Sequence, residues 1–595
     1  MIDSKFQRVI LIAVLLAMTF SVKAQTTPQA LFKFANKAGY EFQILLFGTE
    51  KGEATVDWGT GEVQTIQLDD EKGTVLKGNT LSKELTIKGN ISSIDCSGNE
   101  LLDVNVTALP ELNTFFSRKN YVTQYDFTNN TKLHTLCIEN TPLIKIDLSK
   151  NNKLKQVMLA NNSIAELTMP ENAGEMEILD CSGNFKLQAL DFSTCVNIVQ
   201  MNLLQTSVTK LPLSKLTKMK AFSAGLARPI TLIELPKDNS LEQLYMPAAG
   251  LTSIDLSNCG KLTELALSNN YSLANIDCTH LTELKALDCI GTAIEGIDLS
   301  KCTKLESLKC NNCAIKSLDF TNNPNLKVLD CFINQIEQLL LENTKLENLD
   351  CSGNENLNTL TLPATLKDLD CSSCKLKEIN IKTPEIMESL VCGNNNISTL
   401  DVSGMSALAS LTCNENNIQE LDTKNLPSLL NINVMGNPLT ALDLTGSPNI
   451  SYVKLNNTAL NASALNNLYR SLRRIPQESL ETGVYYLLND VPEAGISATS
   501  IATEKGWTVS TIGSGTDAVE NIVDKNVSFT VTASGNGWIV TGLPSNARSI
   551  SMYDTAGRLV GCFNIVSLSA AIPASVQHGM YIIYANGMSR TVILK

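Results

Sequence analysis

Acidic side chains return at one position of a repeating phrase: Asp288, Lys309, Asp330, Asp350 and Asp370 follow one another at intervals of 20 or 21 residues, with Asp368 beside the last. On parallel strands stacked roughly 5 Å apart, neighbouring carboxylates of this kind resemble a retaining glycosidase pair or collect Ca²⁺. A simpler reading competes. Aspartate also recurs elsewhere in the period, at Asp147, Asp191, Asp255, Asp298, Asp319, Asp401 and Asp443, so it belongs to the repeat. No catalytic residue and no metal ligand is therefore assigned. Lys309, Asn311 and Phe332 border the same file and turn it into a mixed acidic and aromatic patch, expected to be exposed. The candidate binding patch is Asp288, Lys309, Asn311, Asp330, Phe332, Asp350, Asp368 and Asp370. Aromatic side chains anchor interfaces well.

Other chemistry lacks its residues. The chain has three histidines. His134 and His280 fall about seven coils apart, or about 34 Å at strand spacing, and His578 lies beyond the repeats. No histidine-based triad or histidine-rich zinc site can assemble in the repeats. There is no G-x-S-x-G elbow, no H-E-x-x-H and no phosphate-cradling loop. No cofactor is implied. With 47 basic and 60 acidic residues the net charge is −13, which disfavours nucleic acid.

The element that must position the patch is the phrase itself: LKALDCIGT, LESLKCNNC, LKVLDCFIN, LENLDCSGN, LKDLDCSSC, MESLVCGNN, LASLTCNEN. Its cysteines, Cys289, Cys310, Cys331, Cys351, Cys371, Cys392 and Cys413, are 21, 21, 20, 20, 21 and 21 residues apart. The pattern L-x-x-L-x-C-x-x-N with a second apolar run, as in Ile315 to Phe320, is that of a leucine-rich repeat. Residues two apart, such as Leu308 and Cys310, alternate at the period of a strand. One coil cannot bury its apolar face alone, so coils stack. Extended through Cys96, Ser117, Ile138, Leu159, Cys181, Leu203, Ala224, Met246 and Leu267 on one side and Val434 and Leu455 on the other, the register holds eighteen coils of 20 to 22 residues. At about 4.8 Å per coil the rod is about 85 Å long, and the file faces its concave side.

Seventeen cysteines invite a disulfide reading, but nine occupy the inward ladder position, where Leu, Ile, Val, Met or Ala stand in other coils. Such a position takes a small buried hydrophobe. Cys313 and Cys374 replace the phrase's Asn, and Cys195, Cys259 and Cys302 occupy a turn where Asn130, Asn151 and Asn323 stand elsewhere. Mostly free, buried thiols are expected. Asn99, Asn120, Asn162, Asn184, Asn270, Asn334, Asn354, Asn395, Asn416 and Asn437 fill the Asn position, where a buried amide satisfies backbone groups that a turning chain leaves open. Ala227 and Ala249 cannot do this, so Leu203 to Leu267 should be the least regular stretch.

Six segments follow. Residues 1–24, with Lys5, Arg8 and the apolar run Val9 to Phe20, read as a secretory signal peptide. Residues 25–89 lack the period and read as an N-terminal β capping unit with strands near 42–47, 54–58, 63–68 and 84–87. Residues 90–460 are the solenoid. Residues 461–513 read as an α/β C-terminal cap beginning with a helix at Asn461, 514–526 as a linker, and 527–595 as a β-sandwich of six short strands.

On these motifs the stretch from Phe32 to Ile512 resembles secreted BspA-like leucine-rich-repeat proteins of Bacteroidetes, through Val56-Asp-Trp-Gly-Thr-Gly, LDCSGN and Ile501-Ala-Thr-Glu-Lys-Gly-Trp-Thr-Val. Its cysteine ladder is similar to that of certain internalins, which are adhesive surface proteins. The tail, with ISMYDTAGRLV from Ile550, HGMYII from His578 and RTVILK from Arg590, resembles the C-terminal sorting domain of the type IX secretion system. Together these imply export and a place on the outer cell surface. The expectation is a non-enzymatic surface protein that binds or adheres to an extracellular protein of host or bacterial origin through a rigid curved face. Glycan capture, a glycoside hydrolase using adjacent aspartates, and a self-associating surface layer stay open.

Overall fold

The computed structural model describes residues 27–510, except 36–38, 40, 80–81, 476–485, 489–490 and 492–493, together with seven strands between 530 and 594. The expected signal segment, the linker and His578 lie outside the described residues. The chain divides into two compact units, one built on the repeats and the other on the C-terminal strands and Leu488–Gly495.

In the first unit eighteen parallel strands run in register from Ile91–Asp95 to Tyr452–Lys454, each paired to the next coil. Their local cause is alternation. In Val328–Asp330 the central Leu329 is fully buried while its two neighbours are half-exposed, and the pattern repeats at Leu308 and Leu287. Each buried leucine stabilises the stack by about 2–3 kcal/mol. The next residue turns inward again and the nine ladder cysteines are all buried. No disulfide joins any of the sixteen described cysteines. On the other side of the coil a second ladder is discontinuous, with pairs at Lys145–Asp147 and Glu166–Thr168, Lys210–Pro212 and Leu232–Glu234, and Gln338–Leu340 and Thr359–Thr361.

Two asparagine rows supply what the turns leave unpaired. At the phrase position, Asn334 Nδ2 donates to Cys310 O and Cys331 O, both at 2.9 Å, and its Oδ1 accepts from Ile315 N at 3.0 Å. Asn354, Asn395, Asn416 and Asn437 repeat the arrangement. In the opposite turn Asn323 Nδ2 donates to Leu299 O and Cys302 O, at 3.1 and 2.8 Å, while its Oδ1 has no donor. A thiol serves there equally because only a donor is required: Cys302 points its Sγ at Cys278 O from 3.6 Å.

The stretch around Ala227 and Ala249 departs from expectation. Gln200–Leu204 and Ala221–Gly225 are five residues long and pair along their full length. A backbone bond stands in for the missing amide, with Ile230 N donating to Ala249 O at 2.8 Å.

Before the first coil, Glu41–Gly48 pairs antiparallel with Ile91–Asp95 and Gln29–Phe34 with Leu101–Asn105, so both edges of that coil carry hydrogen bonds rather than lying open. Gln29–Phe34 and Thr74–Asn79 are strands that alternation alone did not reveal. Gly78 lies under Trp58, and a Cβ there would come within 2.9 Å of the indole. After the last coil, the helix Ala462–Ser471 buries Leu465, Leu468 and Tyr469. Its Asn461 N-cap accepts from Ala464 N at 2.9 Å. Asn461→Ala is expected to lower stability by about 1 kcal/mol, read as a shift in the urea midpoint with unchanged slope.

Among the described residues the C-terminal unit has seven antiparallel strands where the sequence suggested six, in the order Thr530–Ser534, Gly537–Thr541, Ser569–Pro573, Leu559–Val566, Ser549–Asp554, Gly579–Ala585, Met588–Leu594. Among the described residues no helix is long and apolar enough to cross a membrane.

Candidate functional site

The predicted file is assembled by strand pairing. Asp288 lies opposite Lys309, Lys309 opposite Asp330, Asp330 opposite Asp350 and Asp350 opposite Asp370. All five are half-exposed on the outward side of consecutive strands. Asp368, on the same face of its strand as Asp370, accepts from Asn348 Nδ2 at 2.6 Å. Phe332 is half-exposed just past the ladder position, as expected. Asn311 is not: it is 4% exposed, and its Oδ1 has no donor. It stands between Ile290 and Phe332 at the same position of adjacent coils.

Three of the carboxylates also serve the repeat. Asp350 Oδ1 accepts from Ser352 N and Oγ at 3.1 and 2.7 Å, Asp370 from Ser372 N and Oγ at 2.9 and 2.7 Å, and Asp288 from Ile290 N at 3.1 Å. The aspartates of the second run make the same two-residue bond, as Asp319 does to Thr321 N at 2.9 Å and Asp401 to Ser403 N at 2.9 Å. Such a local acceptor closes a turn. The recurrence of aspartate is thus structural in origin.

The electrostatics nevertheless separate the two rows. In the second run, hydrogen bonds from Thr321 hold Asp319 below the usual carboxylate range, and bonds from Ser403 do so for Asp401. In the file, burial pushes Asp350 up to about 7, reinforced by the charge of Asp370, and burial likewise raises Asp370, Asp288 and Asp368. One cation answers within the file: Lys309 Nζ lies 3.6 Å from Asp330.

A neighbouring row, one residue before each of these strands, alternates Lys285, Glu306, Lys327, Glu347, Lys367 and Glu388. Lys327 meets Glu306 at 2.9 Å and Lys367 meets Glu347 at 2.9 Å. Being exposed, these pairs contribute little stability, but they neutralise that flank. The file is left as the unbalanced negative strip.

A feature that the sequence reading missed borders it on the other side. The residue two past the ladder position has positive φ in all eighteen coils, and in eleven it is Gly or Asn. The recurring G-N and N-N of the phrase were its signal. Ile333 is an exception: a β-branched residue at φ 53°, 39% exposed, beside Phe332. Such a conformation is costly for its type. Gly353 follows one coil on, and a Cβ there would meet Ile333 Cγ1 at 3.1 Å. Phe332 and Ile333 form an apolar step next to the carboxylates.

Phe116 and Tyr245 also lie on the strand face but are spent locally. Arg118 sits 5.5 Å from the centre of the Phe116 ring, and the Tyr245 hydroxyl donates to Glu264. A depression of about 700 Å³ lies at the second run, lined by Asp103, Asp126, Lys145, Asp147 and Glu166. Its aspartates are engaged: Asp103 with Lys33 at 3.2 Å, Asp126 with Thr128 N at 3.0 Å and Asp147 with Ser149 N at 2.9 Å.

No family model and no curated protein matches the chain. Among solved structures it is similar to the functional domain of InlJ from Listeria monocytogenes, which includes a cysteine ladder, at 17% identity and a TM-score of 0.32 over 89% of this chain and 93% of that one. It is also similar to YopM from Yersinia enterocolitica, at 18% identity and a TM-score of 0.44 over 62% and 88% of the two chains. A leucine-rich-repeat protein of Leptospira interrogans, LIC12759, matches at 17% identity and a TM-score of 0.31 over 70% and 94%. The strand pairings above define the fold of this chain as a leucine-rich-repeat solenoid.

Proposed function

We propose that the chain is a protein-binding scaffold working outside the cell, and that its ligand seats on the strand face across Asp288, Lys309, Asp330, Phe332, Asp350, Asp368 and Asp370. The observation that carries this is the pairing of an unbalanced carboxylate strip with an exposed apolar step, Phe332 and Ile333, on a stack held by register. A stiff surface loses little conformational freedom on contact. Adhesion to a host or bacterial surface protein is the use this reading favours. The apolar run Val9 to Phe20 and the sorting-like tail support export and an outer-surface location. The N-terminal β unit and the C-terminal helix and strands serve as caps, and the last seven strands as the export or anchoring module.

The full chain applied to arrays of extracellular proteins and of glycans tests this, alongside the Asp330→Asn, Phe332→Ala, Asp350→Asn triple variant. Binding to a protein that falls at least about tenfold in the triple variant is expected, since an aromatic anchor alone contributes that much. Binding that the triple variant retains in full places the ligand on another face. Glycan binding without protein binding replaces the reading.

A further inference from the structure

Two thiols meet where a cysteine has replaced the phrase asparagine. Cys313 takes that place in the coil of Cys310, and its Sγ reaches back to the coil before, 3.2 Å from Cys289 O and 3.2 Å from Thr292 Oγ1. The Cys289 thiol hydrogen-bonds it as well. Among the sixteen described cysteines, Cys313 alone is half-buried rather than buried. From this union of contact and access we infer that Cys289 and Cys313 form a thiol–disulfide exchange site, at which a small-molecule disulfide reacts with Cys313 and Cys289 resolves the product into a bridge between neighbouring coils.

Other cysteines of the stack have one of the two properties without the other. Cys302 meets Cys278 in the opposite turn, its Sγ 3.6 Å from Cys278 O and the two thiols hydrogen-bonded, but both residues are buried. Cys374 holds the same phrase position as Cys313, with its Sγ 3.5 Å from Cys351 O, yet it is 7% exposed and burial pushes its thiol up to about 12. Structural thiols of this kind are inert. At Cys313 the hydrogen bond from Cys289 outweighs burial and brings the thiol down to about 6, so the attacking thiolate is present at neutral pH.

The exchange balances in two steps. The Cys313 thiolate attacks one sulfur of the disulfide RSSR, the S–S bond of the reagent breaks, and RS⁻ leaves and takes a proton from water. Cys289 then loses its proton to solvent and attacks Cys313 Sγ, expelling the second RS⁻, which is protonated in turn. Two cysteines are oxidised to a disulfide while RSSR is reduced to two RSH. The second step is the slower one, because the hydrogen bond to Cys313 and then burial hold the Cys289 thiol well above its ordinary range. Losing the Cys313 S–H strands no acceptor, since Cys289 O keeps the bond from Thr292 Oγ1 at 2.8 Å. The bridge ties two coils together just past the strands Ala286–Asp288 and Ser307–Lys309.

The test treats the reduced full chain with 2-hydroxyethyl disulfide at neutral pH, blocks the remaining thiols with N-ethylmaleimide and maps the peptides by mass spectrometry without reduction. The expected product is a Cys289–Cys313 bridge, lighter than the two thiols by two hydrogens and formed at least about tenfold faster than any reaction at Cys374. Cys289→Ala, which places at the ladder the residue found natively at Ala224, should stop at the mixed disulfide on Cys313. Cys313→Asn, which restores the phrase residue, should leave Cys289 a thiol. A natural protein that keeps the mixed disulfide on Cys313, or whose Cys313 does not react, overturns the inference. So does a first bridge between Cys278 and Cys302 or between Cys351 and Cys374.

Discussion

Replacing Asn334 by Ala is expected to destabilise the repeat unit by about 2–4 kcal/mol. The substitution removes one amide and strands two buried backbone groups of the coil before, Ile315 N and Cys310 O, while Cys331 O keeps the bond from Asn354 Nδ2 at 3.0 Å. Asn334 itself is 8% exposed, so water does not simply replace it. Each orphaned group costs about 1–3 kcal/mol, less what relaxation recovers. Asn334→Thr should cost nearly as much. Threonine occupies this position natively at Thr292, where its hydroxyl keeps the bond to its own coil, Cys289 O at 2.8 Å, and gives up the links to the coil before. Urea unfolding measures the loss, and hydrogen exchange at the Ile315 amide locates it. Because coils contact only their neighbours, exchange should rise first around Ile315 and Asn334. An Asn334→Ala protein with an unchanged midpoint would mean the amide row is ornamental.

The second large effect concerns pH. Asp350 has its carboxyl raised to about 7, chiefly by burial and then by Asp370. A carboxyl whose folded value lies above its unfolded value near 4 stabilises the fold while protonated. That stability is complete below about pH 4 and is lost as pH rises through about 7. Asp350→Asn retains the shape and can still accept from Ser352. It should therefore gain about 1–3 kcal/mol over the natural protein at pH 8 and nothing near pH 4. Asp370→Asn should show the same sign, and the double variant should gain less than the sum because the two carboxyls oppose one another. Asp319→Asn should behave oppositely in direction, since Thr321 holds that carboxyl low and its contribution is present at neutral pH and lost on acidification. Chemical denaturation at pH 5, 6.5 and 8 separates the two rows. A natural protein more stable at pH 8 than at pH 5, with no gain from Asp350→Asn, contradicts the burial of the file.

Much of this was legible in the chain because each coil repeats a local rule. Leucine two before cysteine fixes which side chains turn inward, and the constant period places Asp330, Asp350 and Asp370 on one face without any knowledge of the rest. The asparagine row follows from the same logic. What stayed hidden depends on partners outside the coil. Asn311 reads as exposed by position and is 4% exposed in the stack. Ser569–Pro573 is built of small residues of weak strand preference and owes its strand to the neighbours it pairs with, Gly537–Thr541 and Leu559–Val566. Around Ala227 and Ala249 the missing amides implied irregular pairing, but the strands there stay paired in register. The positive-φ position was printed in the sequence as G-N and N-N, yet Ile333 shows that the fold imposes it on residues that do not favour it.

The most direct test of the central claim is carboxyl footprinting of the full chain, free and in complex with the protein that the array identifies, using carbodiimide-driven glycine ethyl ester labelling read by mass spectrometry. The account predicts that the complex protects Asp288, Asp330, Asp350 and Asp370 while Asp191, Asp255, Asp319 and Asp401 label as before. Protection confined to the second-run aspartates, with the file still open to the reagent, would contradict it.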